Sequence, residues 1–313
     1  MAVSASEPAD RRIGVHDSVE ARGPTNGILN MLPAITIVTP SYNQGCFLEQ
    51  AICSVLAQKY PLLQYMVIDG GSTDCSRDVI ARYSSKLDYY VSETDCGQSD
   101  AIRKGFSLAT GELLGWINSD DVLYPNALLR IGQAYESNPG SIVAGDVTVF
   151  YEGKPHKSRT IRQRHLNMHD MVAIWTGKSC YSQPGVFFPR DGYHAAGGID
   201  VALHLCMDHD LMNRLLRSHS VTYVNQVIAG ARMHPESKTC SRAGAQVAES
   251  YEVSRRYWAE LPHPTVVCRL LSLFGLGRCA LGRLYHGNPE ALGPIIVEMK
   301  RMAIGQTWKT EGV

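Results

Sequence analysis

Short apolar runs alternate with amphipathic stretches along most of the chain. Residues 34–39 (AITIVT) form a β-branched apolar run that stops at Pro40-Ser41-Tyr42-Asn43, the pattern of a buried strand followed by a loop. Residues 47–56 space their apolar positions as a helix does, and Pro61 lies beyond its end. Residues 63–68 predict a second strand, which runs into Asp69-Gly70-Gly71-Ser72-Thr73-Asp74. The same alternation predicts helix over 76–83, strand over 87–92, helix over 99–109, strand over 113–117 and helix over 127–136. A strand over 142–151 follows. Residues 155–180 read as basic and irregular, 183–189 as a short strand and 197–200 as a turn. Residues 208–217 read as a helix with Leu211, Leu215 and Leu216 on one face, and the chain after about 241 as helical.

Strand, loop and helix in this order predict an α/β fold: an open, mostly parallel sheet with helices on both faces. In such sheets ligands bind beyond the carboxyl ends of the strands. The polar loops at 39–43, 69–74 and 118–121 are therefore expected to converge on one crevice. The chain lacks both G-x-G-x-x-G and G-x-x-x-x-G-K-[ST], which argues against dinucleotide binding of the usual kind and P-loop phosphoryl transfer.

Charge narrows the partners. Lys+Arg and Asp+Glu are both 30 and the formal net charge is zero, so the basic excess of a nucleic-acid-binding protein is missing. At 44% hydrophobic and 19% charged residues, the composition suits a chain with a real core. The nine cysteines show no C-x-x-C pair or metal-ligand spacing, as expected of reduced thiols in the cytoplasm. Residues 1–32 read as a flexible tail, in which Arg11-Arg12 lacks the apolar region of a twin-arginine signal. No apolar run reaches the roughly 18 residues of a membrane span.

The stretch WINSDDVLYP, residues 116–125, sets two carboxylates side by side between apolar runs. Asp120 and Asp121 either complement the N-terminus of the next helix or hold a hard divalent cation such as Mn2+ or Mg2+ against substrate phosphates. Asp69 and Asp74 have a reading as turn residues around Gly70-Gly71.

The motifs TPSYNQ (39–44), VIDGGSTD (67–74), DCGQSDAIRKG (95–105), WINSDD (116–121), QPGVFF (183–188) and MDHDLMNRL (207–215) occur in that order. Together they resemble the inverting glycosyltransferases of family 2, with the nucleotide-diphospho-sugar transferase (GT-A) fold. The resemblance spans about residues 34–240 and implies a transferase domain over 33–240. Its halves are 33–146, for the nucleotide sugar, and 147–240, for the acceptor, with a helical extension over 241–313.

The resemblance also implies roles. Pro40, Tyr42 and Asn43 would hold the nucleoside, with Tyr42 near the base. Asp69 and Gly71 would lie at the base or ribose. Asp95, Gln98, Asp100, Asn118 and Asp120 would line the donor site. Asp120 and Asp121, with His234, would hold the metal, and Arg232 or Lys238 would pair with phosphate. Asp208 would be the catalytic base, although a helix cap is an alternative for it and a satisfied loop histidine for His234. The chain departs from the family pattern at Gly70, Asn118 and Met207, each standing where relatives carry an acid; the nucleoside base therefore stays open. His204, Asp208 and His209 lack a third ligand at zinc spacing.

The expected reaction is metal-assisted transfer, with inversion, from a nucleotide-diphospho sugar to a hydroxyl of a saccharide or lipid-linked acceptor, in surface polysaccharide or glycolipid synthesis. The alternatives are a non-catalytic nucleotide-sugar-binding or scaffold protein and a sugar nucleotidyltransferase. The stretch 266–284 reads either as a helix docked on the core or as an interfacial helix giving peripheral contact with the inner face of the membrane.

Overall fold

The computed structural model describes residues 32–173 and 180–262, together with Cys268 and Leu270. Among these, Leu32 is already buried. Of the tail expected over residues 1–32 only Leu32 is described, and nearly all of the stretch 266–284 also falls outside the described residues.

The first half follows the predicted alternation closely. It runs β1 (Ile35–Ser41), α1 (Gly45–Leu56), β2 (Leu63–Asp69), α2 (Ser76–Tyr83), β3 (Tyr89–Ser92), α3 (Gln98–Ser107), β4 (Leu113–Trp116), β5 (Val122–Leu123) and α4 (Ala127–Ser137). Then come β6 (Ile142–Tyr151), β7 (Lys154–Ile161), α5 (Met168–Val172), β8 (Val186–Pro189), α6 (Arg190–Ala195), α7 (Met207–Leu215), β9 (Val221–Met233), α8 (Lys238–Ser241) and α9 (Ala243–Arg256).

The described strands form one nine-stranded sheet in the order β3-β2-β1-β4-β8-β6-β9-β5, with β7 paired to β6. Strands β1 to β4 pair in parallel, and so do β6 and β9; β8, β7 and β5 join antiparallel. The parallel ladders carry most of the paired residues, as expected. Strand β6 holds three partners because it is long. Val143 and Ala144 pair with β8, 147–151 pair with β7, and β9 runs along the full length.

Alternate residues of β1 and β2 enter different cores, which is why their sequences are almost continuously apolar. Ile35, Ile37, Tyr65 and Val67 pack with Leu48 and Ile52 of α1 and Ile131 of α4. Val38, Met66 and Ile68 pack with Ile102 and Phe106 of α3 and Leu211 of α7. Packing between sheet strands is tight at Gly115, where a Cβ would lie 2.5 Å from the Phe187 ring. Gly115→Ala is expected to destabilise by about 1–3 kcal/mol through overpacking, read as a lower midpoint in thermal denaturation.

Several segments differ from expectation, among them the short β5 and α6, which no predicted element covers. Residues 155–180 are not all irregular: β7 and α5 lie there. Residues 156–160 are exposed, so no apolar face marks the strand in the sequence. Strand β9 has no counterpart among the predicted elements. Its ladder with β6 shifts register at Gly145/Asp146 and Asp146/Val147, and Asn225 and Gln226 stand exposed opposite that bulge. This polar pair interrupts the alternation that would announce a strand.

Candidate functional site

The loops at the carboxyl ends of β1, β2 and β4 meet, and hydrogen bonds join them. Asn43 takes a left-handed conformation (φ 51°) that Asn tolerates, donating its N–H to Ser72 Oγ at 2.8 Å and accepting from Thr73 N at 2.8 Å. Asp74 Oδ2 accepts from Gly45 N at 2.8 Å. Ser119 donates to Gln44 Oε1 at 2.6 Å, tying the acidic loop to the end of β1. Pro40 is buried in β1 opposite Ile68, and Tyr42 is 63% exposed, leaving its ring open to a ligand.

Asp69 lies beneath these loops. It is fully buried, with Oδ1 accepting from Ser72 Oγ at 2.5 Å and Oδ2 from Ser72 N at 2.9 Å and Ser92 Oγ at 2.7 Å. It therefore fixes the 69–72 turn from below. Gly71 has φ 81°, and a Cβ there would lie 3.2 Å from Thr94 N. The absence of an acid at position 70 has a steric reason: a Cβ on Gly70 would stand 2.9 Å from Asp95 Oδ1. Gly70→Asp is expected to lower both donor affinity and the thermal midpoint, by about 1–3 kcal/mol of stability, since two carboxylates would share one space. Titration calorimetry and calorimetric melting read the two effects.

Asp95 accepts from Gly97 N at 2.8 Å, and burial raises its carboxyl pKa. Asp100 lies in the first turn of α3, where it pairs with Arg103 at 2.7 Å and accepts from Cys96 N at 3.2 Å; the Arg103 guanidinium holds its carboxyl below the ordinary value. Gln98 bridges two elements. Its Nε2 donates to Asn118 Oδ1 at 2.6 Å, and its Oε1 accepts from Lys238 Nζ at 2.9 Å.

Asn118 to Asp121 form a turn closed by Asp121 N donating to Asn118 O at 3.0 Å. The two carboxylates point to different partners. Asp121 is buried, with Oδ2 accepting from Asn118 Nδ2 at 2.9 Å and Oδ1 from Arg232 N at 3.1 Å. Burial, then the charge of Asp120, raises its pKa. Asp120 is more open, and its Oδ2 stands 3.1 Å from His234 Nε2. The helix-capping alternative for the pair fails: α4 begins at Ala127 after Asn126, and neither Asp touches that helix end.

Arg232 is a clamp for this loop. Its Nε donates to Asp120 O at 2.9 Å, one terminal nitrogen to Gln50 Oε1 at 2.7 Å and the other to Glu152. The guanidinium lies between the rings of Phe47 and Phe150, 4.8 Å from each centroid. Phe47 also packs on His234, ring centroids 4.7 Å apart. With these partners Arg232 is occupied, whereas Lys238 pairs with no carboxylate among the described residues. Desolvation and neighbouring Arg242 lower the Lys238 pKa.

Lys238 also donates to His204 O at 3.3 Å, so it spans from the start of α3 to the turn before α7. Asp208 lies in the first turn of that helix, beyond the cap position, which Cys206 holds. Asp208 Oδ1 accepts from His209 N at 2.8 Å. Burial, and then the charge of Glu249, pushes its carboxyl up to about 6, although part of the residue still reaches solvent. His209 turns away to Met171 O at 2.6 Å. Asp210 faces elsewhere, into an ion-pair lattice with Arg214 at 2.8 Å and Arg256 at 3.0 Å. These pairs line a cavity of about 420 Å³ that shares no residue with the loops at 39–44, 69–74 and 118–121 and joins α7 to α9.

Among the described residues, no three His, Cys, Asp or Glu side chains converge as a complete metal cluster. Asp120 and His234 offer one oxygen and one nitrogen side by side, a donor pair that suits manganese or magnesium when phosphates and waters complete the shell.

Residues 36–195, slightly more than half of the chain, match the model of Glycosyl transferase family 2. The chain belongs to this family. The family 2 transferase is 25% identical over 229 residues to an uncharacterised glycosyltransferase of Rickettsia typhi, covering 70% of each protein. A second relative, from Rickettsia felis, is 23% identical over 74% of this chain, which spans 38% of that protein. In fold, it is similar to S. aureus TarS 1–349 in complex with UDP-GlcNAc, with a TM-score of 0.58 and 13% identity over 88% of this chain and 93% of the other. It is also similar to the mannosyltransferase PcManGT from Pyrobaculum calidifontis in complex with GDP-Man and Mn2+, with a TM-score of 0.53 and 15% identity over 90% and 78%. The mixed sheet of the transferase is thus of the GT-A type.

Asp208, Arg232, His234 and Lys238 lie beyond the matched residues. One further residue near the site carries no motif in the sequence. Glu249 of α9 accepts from three backbone N–H groups before Asp208, and only its place as an acid in an amphipathic helix marks it.

Proposed function

We propose that this family 2 transferase moves a sugar from a nucleotide-diphospho sugar to a hydroxyl acceptor in one in-line displacement, with inversion. The observation that carries the reading is the pair of hydrogen bonds made by Lys238: its ammonium donates to Gln98, which is itself bonded to Asn118 of the Asp120 loop, and to His204 O in the turn before α7, the helix that carries Asp208. Asp208 takes the proton of the acceptor hydroxyl as its oxygen attacks the anomeric carbon. The bond from that carbon to the diphosphate breaks, and the nucleoside diphosphate leaves. A carboxyl pKa near 6 suits a base that must be ionised yet proton-accepting near neutrality. Lys238 lies where its ammonium can meet charge on the departing diphosphate.

Asp120 and His234 would hold a divalent cation, which as a Lewis acid supplies charge neutralisation at the diphosphate. Asp121 supports that site through Asn118 and Arg232 rather than facing it. The Mn2+ held with GDP-Man by PcManGT favours such use. Tyr42 and Asn43 would hold the nucleoside, and Asp95, Gln98 and Asp100 would line the donor site.

The acceptor would be a saccharide or lipid-linked hydroxyl in surface polysaccharide or glycolipid synthesis. TuaG of Bacillus subtilis, named for teichuronic acid biosynthesis, is 32% identical over 96 residues, 29% of this chain and 38% of TuaG. No helix among the described residues is long and apolar enough to cross a membrane. Work at the cytoplasmic side, with or without peripheral membrane contact, fits this reading. A panel of uridine, guanosine and thymidine diphosphate sugars with manganese tests it. Turnover of one donor is expected. Binding without turnover would favour a non-catalytic protein, and pyrophosphate release from a nucleoside triphosphate would favour a nucleotidyltransferase.

A further inference from the structure

The turn that leads into α7 is held by a residue of a distant helix. Helix N-termini leave N–H groups without intrahelical partners, and a side chain at the cap normally accepts from one of them. Helix α7 has Cys206 at that position and makes no side-chain cap bond. Glu249 instead holds the three residues that lead into the helix, up to the cap residue itself. Its Oε1 accepts from Leu205 N and Cys206 N, both at 2.7 Å, and its Oε2 from His204 N at 3.3 Å. The carboxylate is only 8% exposed, so these bonds act with little competition from water. Next along α9, Ser250 Oγ meets Cys206 Sγ at 3.1 Å. A negative charge also belongs at this end of a helix dipole.

We propose that Glu249 is a positioning residue for Asp208, fixing the 204–206 turn from which the helix carrying the base starts. The proposal rests on the reading of Asp208 as that base. Glu249 touches neither donor nor acceptor; it acts through the backbone two residues before Asp208. It also sets the field around the base, because a second carboxylate nearby disfavours ionisation of Asp208. The other titratable groups about Asp208 are Tyr181 before β8, Cys206 and His209 on its own element and, through His204 O, Lys238. The charge of Glu249 adds to burial in raising the Asp208 pKa. Helix α9, wholly outside the family match, is thereby coupled to the chemistry.

The test compares Glu249→Ala, Glu249→Gln and Asp208→Asn in the full chain. Glu249→Ala is expected to lower kcat by about 10- to 100-fold, the scale on which an orienting partner acts, with donor KM held within about twofold. Amide hydrogen exchange at residues 204–206 should speed up. Glu249→Gln keeps the shape and removes the charge, so the acid limb of the kcat–pH profile should move to lower pH. A merely structural role would leave that limb in place. Should Glu249→Ala fail to fold, Glu249→Gln alone carries the test. Wild-type kcat and an unmoved acid limb in Glu249→Gln, beside an inactive Asp208→Asn, would overturn the proposal. An active Asp208→Asn would instead overturn the assignment of the base.

Discussion

Asp208→Asn is expected to lower kcat by roughly 10²- to 10⁴-fold, the usual contribution of a general base, while donor affinity stays within about twofold. The amide matches the carboxylate in size and still accepts from His209 N, so the first turn of α7 keeps its geometry. What it loses is the ability to take the acceptor proton. The pH dependence has a defined sign. The base must be ionised, and burial has pushed its carboxyl up to about 6. Turnover of the unaltered enzyme is therefore expected to rise as pH climbs through about 6, to level off above it and to fall below it. Steady-state kinetics over that range, with calorimetric donor titration of the variant, checks both parts. Full activity in Asp208→Asn would remove the base from the mechanism.

Asp120 and Asp121 are expected to differ when each is changed to Ala. Asp120 meets His234 at 3.1 Å, while Asp121 already accepts from Asn118 and Arg232 with its two oxygens. Asp120→Ala should abolish the manganese-dependent part of nucleotide affinity, a loss of at least about tenfold, which even an outer partner of a metal ligand can cause. Asp121→Ala should act first on stability. It leaves the buried Arg232 N–H without its acceptor, at about 1–3 kcal/mol, and leaves the half-buried Asn118 amide only Gln183 Oε1 at 3.4 Å. Titration of UDP or GDP with and without manganese, beside thermal melts, separates the two. Equal manganese dependence in Asp120→Ala and the unaltered chain would contradict the cation assignment.

Much of the fold is legible in the sequence because its strands are buried on both faces. Runs such as ITIV and YMVI leave few other readings, and the helices between them carry a clear apolar face. Strand β9 is illegible for a local reason. Asn225 and Gln226 sit at a bulge opposite β6, so the polar positions that look like a loop are a defect within a strand. Strand β7 is illegible because its residues 156–160 are exposed and carry no apolar face to read. In both places tertiary pairing supplies what the sequence pattern lacks.

The candidate site is legible as loops and only partly as roles. Strand ends place 39–44, 69–74 and 118–121 together, and the hydrogen bonds of Asn43, Ser119 and Gln98 join them. Side-chain direction is not legible. Asp69 is turned under its loop toward Ser72 and Ser92, and Asp121 toward Arg232, which no spacing rule reports. The Asp100–Arg103 pair, by contrast, follows from helical i,i+3 spacing. Glu249 is invisible because its partners are backbone amides more than 40 residues away in the chain.

The most direct test of single-displacement transfer is the anomeric configuration of the first product. With an α-linked donor that the enzyme turns over, proton NMR of the sugar released to water, recorded before mutarotation, is expected to show the β anomer first. Initial release of the α anomer would contradict the account.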